Sequence, residues 1–150
     1  MDVQERYLAD NDSYEYIFTS DLPSKLGGMC EDNVIYIDAR RDYREQTAII
    51  AEEVAHQLVS SGDTLDYSAP GTAQSETQAR RLAAKSLVPL ESLVKAWRDA
   101  AVCVAEIADY CEVPEHSVLE AIEAYRVEYG EHFMYDGLTF DLSNGLRILE

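Results

Sequence analysis

Asp42-Tyr43-Arg44-Glu45-Gln46-Thr47-Ala48-Ile49-Ile50-Ala51-Glu52-Glu53-Val54-Ala55-His56-Gln57-Leu58-Val59-Ser60 carries the longest helical pattern in this chain. Asp42 followed by Glu45 resembles a capping box, which opens a helix. Ile50, Ala51, Val54, Ala55, Leu58 and Val59 then recur at helical spacing, so the segment reads as one amphipathic helix ending near Ser60. Ser60-Ser61-Gly62-Asp63 is a stop signal. Residues four apart share a helix face, so Glu52 and His56 point the same way, with Glu53 about 100° around the axis.

Upstream of this helix, Tyr14-Glu15-Tyr16-Ile17-Phe18 has strand-like aromatic and branched content. Gly27-Gly28-Met29-Cys30-Glu31 leads through Asp32-Asn33 into Val34-Ile35-Tyr36-Ile37-Asp38, two apolar runs about a tight polar turn, which predicts a hairpin. The first dozen residues suit a short helix or a frayed end. Downstream, 63 to 71 has turn composition. Helices are expected over about Gln74 to Leu87, Leu90 to Trp97, Val102 to Tyr110 and Pro114 to Tyr129, with Pro89 separating the first two. Asp136-Gly137 between Phe133-Met134-Tyr135 and Leu138-Thr139-Phe140 predicts a closing hairpin. Strands at both ends with helices between them indicate an α+β fold, taken as a single domain over 1–150: an N-terminal hairpin or sheet packed on a helical bundle, with a short C-terminal hairpin.

Bulk composition bounds the function classes. The balance of 47% hydrophobic and 27% charged residues is that of a folded domain rather than a disordered chain. The net charge of −17 repels phosphate backbones and anionic lipid, which excludes direct nucleic-acid and membrane binding and suits a basic protein partner or a cation. It equally suits simple solubility. Cys30, Cys103 and Cys111 are odd in number and not closely spaced, and no secretory signal is visible, so the chain reads as cytoplasmic with reduced thiols.

In the H-E-x-x-H zinc proteases, one helix face supplies two metal ligands beside a general base. Here the pattern is E-E-x-x-H, with Glu52 in the first ligand position. A carboxylate ligates zinc at about 2.0–2.2 Å. It is harder than imidazole and moves selectivity from Zn²⁺ towards metals such as Mn²⁺. A third ligand is needed, and Glu76 on the following helix is the candidate, with Asp63 in reserve. The expected metal set is Glu52, His56 and Glu76, with Glu53 activating water and protonating the leaving amine. The same residues also suit a solvated charged face, and Glu76 suits an ion pair with Arg80 four residues on. His116 and His132 carry no such pattern.

The wider arrangement resembles a known family. Leu22-Pro23-Ser24-Lys25-Leu26-Gly27-Gly28, the hairpin ending Val34 to Asp38, Ile50-Ala51-Glu52-Glu53-Val54-Ala55-His56, and Glu76-Thr77-Gln78-Ala79-Arg80-Arg81-Leu82-Ala83-Ala84 before Leu87-Val88-Pro89 look like the ImmA/IrrE metallo-endopeptidases. Val104-Ala105-Glu106-Ile107-Ala108 through Val113-Pro114 resembles that family's later helix pair, and the similarity runs from about Tyr16 to Gly130. Leu82 stands where the family pattern has Phe, and Glu52 where its main pattern has His. Ala51 to His56 is closer to a phage-encoded branch with A-E-E-L-G-H at this point. The resemblance implies a small zincin-like domain and a zinc-dependent peptidase of the gluzincin type, with His56 and Glu76 as ligands and Glu53 as base. It also implies a partner: a helix-turn-helix repressor of a phage or mobile element, cleaved or otherwise inactivated. A catalytically degraded anti-repressor that binds without proteolysis is the alternative that Glu52 leaves open. The pair Val102–Tyr110 and Pro114–Tyr129 mimics a DNA-binding helix-turn-helix. Glu115, Glu120, Glu123 and Glu128 against one Arg126 make it a packing or partner-binding element instead.

Overall fold

Asp32 and Asn33 both adopt left-handed backbone, with φ of 51° and 65°. Two such residues in succession form the turn whose twist matches a hairpin, and Asp and Asn tolerate this conformation better than most side chains. The hairpin is therefore seated as the sequence indicates. The computed structural model describes residues 1–60 and 73–150. The elements in order are α1 (Val3–Asp10), β1 (Glu15–Thr19), β2 (Gly28–Glu31), β3 (Val34–Asp38), α2 (Tyr43–Ser60), α3 (Ala73–Leu87), α4 (Leu90–Arg98), α5 (Val104–Cys111), α6 (Glu115–Tyr129), β4 (His132–Tyr135), β5 (Leu138–Asp141) and β6 (Arg147–Leu149). The fold is α+β. It divides into two compact units, Met1–Ala83 and Ala84–Glu150.

In the first unit β3 is the central strand of a three-stranded sheet, in the order β1-β3-β2. β2 pairs with it antiparallel through the hairpin, and β1 lies parallel on its other side, with Ile17 opposite Tyr36. The parallel partner of the hairpin is not readable from local pattern, because the pairing joins segments 19 residues apart with a second strand between them. Strand alternation sends Ile35 and Ile37 to one face, where they pack with Ile50 and Val54 of α2 and with Tyr16 and Cys30. Within the first dozen residues, Val3–Asp10 are helical. Asp2 caps α1 by accepting from the Glu5 amide at 2.8 Å, and Glu5 accepts from the Asp2 amide at 3.3 Å. The buried Gln4 amide donates to Thr47 Oγ1 at 3.1 Å and to the Tyr43 carbonyl at 3.2 Å, which ties α1 to the start of α2.

The end of β3 is held by a buried charge. Asp38 is 2% exposed and accepts from Arg40 Nε at 2.8 Å, from the Arg40 amide at 2.9 Å and from Arg41 Nε at 3.3 Å. Arg40 also donates to the Leu22 carbonyl at 2.8 Å, and the Asp38 amide donates to the Gly27 carbonyl at 2.8 Å. The whole approach to β2 is thus pinned to one carboxylate. A buried charge is tolerable only with such partners.

The second unit holds α4 to α6 and the sheet β4-β5-β6. Asp136 and Gly137, with φ of 54° and 75°, form the closing hairpin expected from their dipeptide. Phe140 is fully buried between Phe133, stacked at 5.0 Å, and Tyr135, edge-on at 6.2 Å. β6 was not anticipated, since three residues are too few to show an alternation. The α5–α6 pair turns at Glu112 (φ 58°), and α6 buries Val118, Ala121, Ile122 and Tyr125. No helix among the described residues is long and apolar enough to cross a membrane.

The two guanidiniums and the Arg40 amide hold the Asp38 carboxyl down to about 2, from 3.8. A folded-state pKa below the unfolded one stabilises the fold above the unfolded value, and this stabilisation is lost as pH falls through the folded one. The urea midpoint, followed by circular dichroism, should therefore drop on acidification from about pH 5 to about pH 2. In Asp38→Asn the midpoint should be lower at neutral pH and should fall less steeply over the same range.

Candidate metal centre

α2 carries Glu52, Glu53 and, one turn on, His56, all half-buried. α3 presents Glu76 in its first turn, where the helix dipole favours a carboxylate. The two helices meet there: His56 Nε2 and Glu76 Oε2 are 3.4 Å apart. Glu53 lies next to this pair. Its carboxyl is pushed up to about 7, first by burial and then by the negative charge of Glu76.

The burial of Glu53 comes from strand β2. A side-chain carbon added at Gly28 would stand 3.2 Å from Glu53 Cγ, 3.0 Å from the Tyr36 carbonyl oxygen and 2.6 Å from Ile49 Cγ2. The strand backbone can lie on the helix only because that carbon is missing. Two residues on, Cys30 is on the same face of β2, and its thiol is raised by burial and by the charge of Glu53. Sequence reading missed both Gly28 and Cys30 as neighbours of Glu53. Strand alternation from Gly28 to Cys30 does put them on one face, but which helix that face meets is a tertiary fact.

The expected site residues are distributed as follows. His56 and Glu76 come together, and Glu53 is beside them. Glu52 stands one turn from His56 on α2. Among the described residues no three His, Cys, Asp or Glu side chains are grouped closely enough to hold an ion. Asp63 lies outside the described residues. His116 and His132 are elsewhere, 3.7 Å from Glu120 and 3.3 Å from Asp141.

Two of the expected donors, His56 and Glu76, have the spacing of ligands around one divalent transition metal. Tetrahedral bonds of about 2.1 Å put neighbouring donor atoms about 3.4 Å apart, which is the separation found between the His56 imidazole and the Glu76 carboxylate. Imidazole nitrogen with carboxylate oxygen is a donor set used by zinc hydrolases.

A model of the IrrE N-terminal-like peptidase domain matches residues 1–123. The chain belongs to this family. The match takes in both helices of the site and reaches into α6. It bears out the resemblance to the ImmA/IrrE family. IrrE N-terminal-like peptidases are generally metal-dependent. No curated protein and no solved structure matches the chain significantly.

Because Ile49 Cγ2 and the Tyr36 carbonyl have little freedom to retreat, Gly28→Ala should cost about 1–3 kcal/mol of stability in urea unfolding. Ile49→Ala in the same chain should recover part of the overpacking loss, shown by a double-mutant cycle with positive coupling. An unchanged midpoint for Gly28→Ala would show that β2 does not lie this close to α2.

Proposed function

We propose that this IrrE N-terminal-like chain is a metal-dependent endopeptidase acting in the cytoplasm on a helix-turn-helix repressor of a phage or mobile element. The observation that carries the reading is the approach of His56 and Glu76 from two helices, with the desolvated Glu53 alongside. His56 and Glu76 would hold the metal, with Glu52 as the third ligand. Zn²⁺ suits the imidazole, and Mn²⁺ gains ground from the additional carboxylate. The bound metal supplies Lewis acidity at the scissile carbonyl and a water nucleophile at neutral pH.

Glu53 is the general base. It takes a proton from the attacking water at its carboxylate and returns it to the leaving amide nitrogen. Its place beside the His56–Glu76 pair suits both transfers, since a base must stand within reach of the proton it moves. Gly28 lies against the Glu53 side-chain stem, and the carboxyl is partly desolvated. The repressor as substrate rests on the family resemblance and on charge: an acidic surface attracts a basic DNA-binding domain. A second reading, an anti-repressor that binds its partner without cleaving it, is favoured by Glu52 in the position where the main family pattern has His.

Glu53 separates the two readings. Glu53→Gln should abolish cleavage of a helix-turn-helix repressor substrate while leaving metal content and partner binding intact. A protein that only binds will be indifferent to the change. His56→Ala should abolish retention of about one divalent metal per chain, read by elemental analysis of gently purified protein. A native chain that takes up neither Zn²⁺ nor Mn²⁺ would overturn the enzyme reading. Glu52→His should keep or tighten zinc binding in a competition titration. Unfolding of that variant would instead assign Glu52 to a structural partner.

A further inference from the structure

We propose that the face of the first sheet turned away from α2 is a docking surface for a cationic, apolar segment of a basic protein. Ile35 and Ile37 point to α2, so strand alternation leaves Val34 and Tyr36 on the opposite face. The register completes two rows there. Ile17, Tyr36 and Met29 stand side by side across β1, β3 and β2, and two residues along the strands Glu15, Val34 and Glu31 form the next row. The apolar row lines a groove of about 320 Å³ together with Leu22.

This face carries both features that such a segment needs. Ile17 is 37% exposed, unlike the inward isoleucines of β3 at 0%, so the apolar row is open to a partner's aliphatic side chain. Glu15 and Glu31 are exposed and lie two strands apart, about 10 Å, so one Lys or Arg placed over Val34 lies between both carboxylates. Asp21 adds a third acid to the groove. The charge of −17 disfavours a second copy of the chain as occupant. The proposal does not depend on proteolysis. α2, with Glu53 and His56, is on the other face of the sheet and stays unobstructed when the groove is filled.

The test is fluorescence anisotropy of the full chain with a fluorescein-labelled peptide of alternating Arg and Leu, at physiological salt. The same peptide with Glu for every Arg serves as control. Glu15→Gln with Glu31→Gln should raise the Kd about tenfold, and Ile17→Thr, which keeps a β-branched residue in the strand, about fivefold. Glu91→Gln with Glu131→Gln removes the same charge from the second unit and should change the Kd by less than about twofold. Equal weakening by the two charge pairs would mean diffuse attraction and would overturn the proposal. So would an unchanged Kd in Ile17→Thr, provided circular dichroism shows that the variant is folded. If sedimentation shows a dimer that Ile17→Thr dissociates, the face belongs to self-association and the proposal fails.

Discussion

Strand β2 crosses α2 with no side-chain carbon between them at Gly28, and the rest of the first unit is arranged around that approach. A Cβ there would lie 2.6 Å from Ile49 Cγ2 and 3.0 Å from the Tyr36 carbonyl. With the carbon absent, the strand backbone lies directly on the helix beside the Glu53 stem. Two consequences follow from one missing atom. The hairpin seals the apolar core of Ile35, Ile37, Ile50 and Val54. It also withdraws the Glu53 carboxyl from water while leaving the His56–Glu76 pair half open.

Two carboxyls in this unit show how surroundings decide the state of the same functional group. Asp38 is nearly inaccessible, yet Arg40 and Arg41 surround it and its pKa falls to about 2. Glu53 has no such cation among the described residues: burial, and after it the like charge of Glu76, raises its pKa to about 7. At Asp38 the cationic partners outweigh desolvation, whereas at Glu53 desolvation leads and the like charge adds to it. The first is a permanently charged clamp that fixes where β2 begins. The second, with no such cation against it, is shifted towards its neutral form. A cation held by His56 and Glu76 would offset the repulsion from Glu76 and make Glu53 a stronger acid.

Membership of the IrrE N-terminal-like peptidases and the geometry point the same way, and Glu52 is where they pull apart. The family's main pattern supplies an imidazole at that position, and this chain supplies a carboxylate. His56 and Glu76 stand at the spacing of two ligands around one ion, whereas Glu52 does not join them in a three-membered group among the described residues. The metal chemistry of the proposed enzyme therefore turns on how this one side chain is used. The acidic surface adds a separate theme. The outer sheet face gathers Glu15 and Glu31 around an apolar row, so a basic partner could be held there while α2 remains accessible.

Local pattern alone determined most of the secondary structure. The Asp32-Asn33 and Asp136-Gly137 turns were legible because few residue pairs accept two successive left-handed conformations. α2 was legible because eighteen residues repeat an apolar spacing over five turns. Glu52, Glu53 and His56 were legible as a group because a helix fixes the relation of residues one and four apart. What the sequence could not determine lies between elements. The parallel pairing of β1 with β3 joins segments separated by another strand, and β6 is too short to carry a pattern. The raised pKa of Glu53 depends on a strand backbone from 25 residues upstream and on a carboxylate from the next helix. Helical geometry alone cannot bring Glu76 to His56, since that distance depends on how α3 packs against α2. Spacing within one element is set by covalent geometry, whereas proximity between elements is set by packing, and only the folded chain contains it.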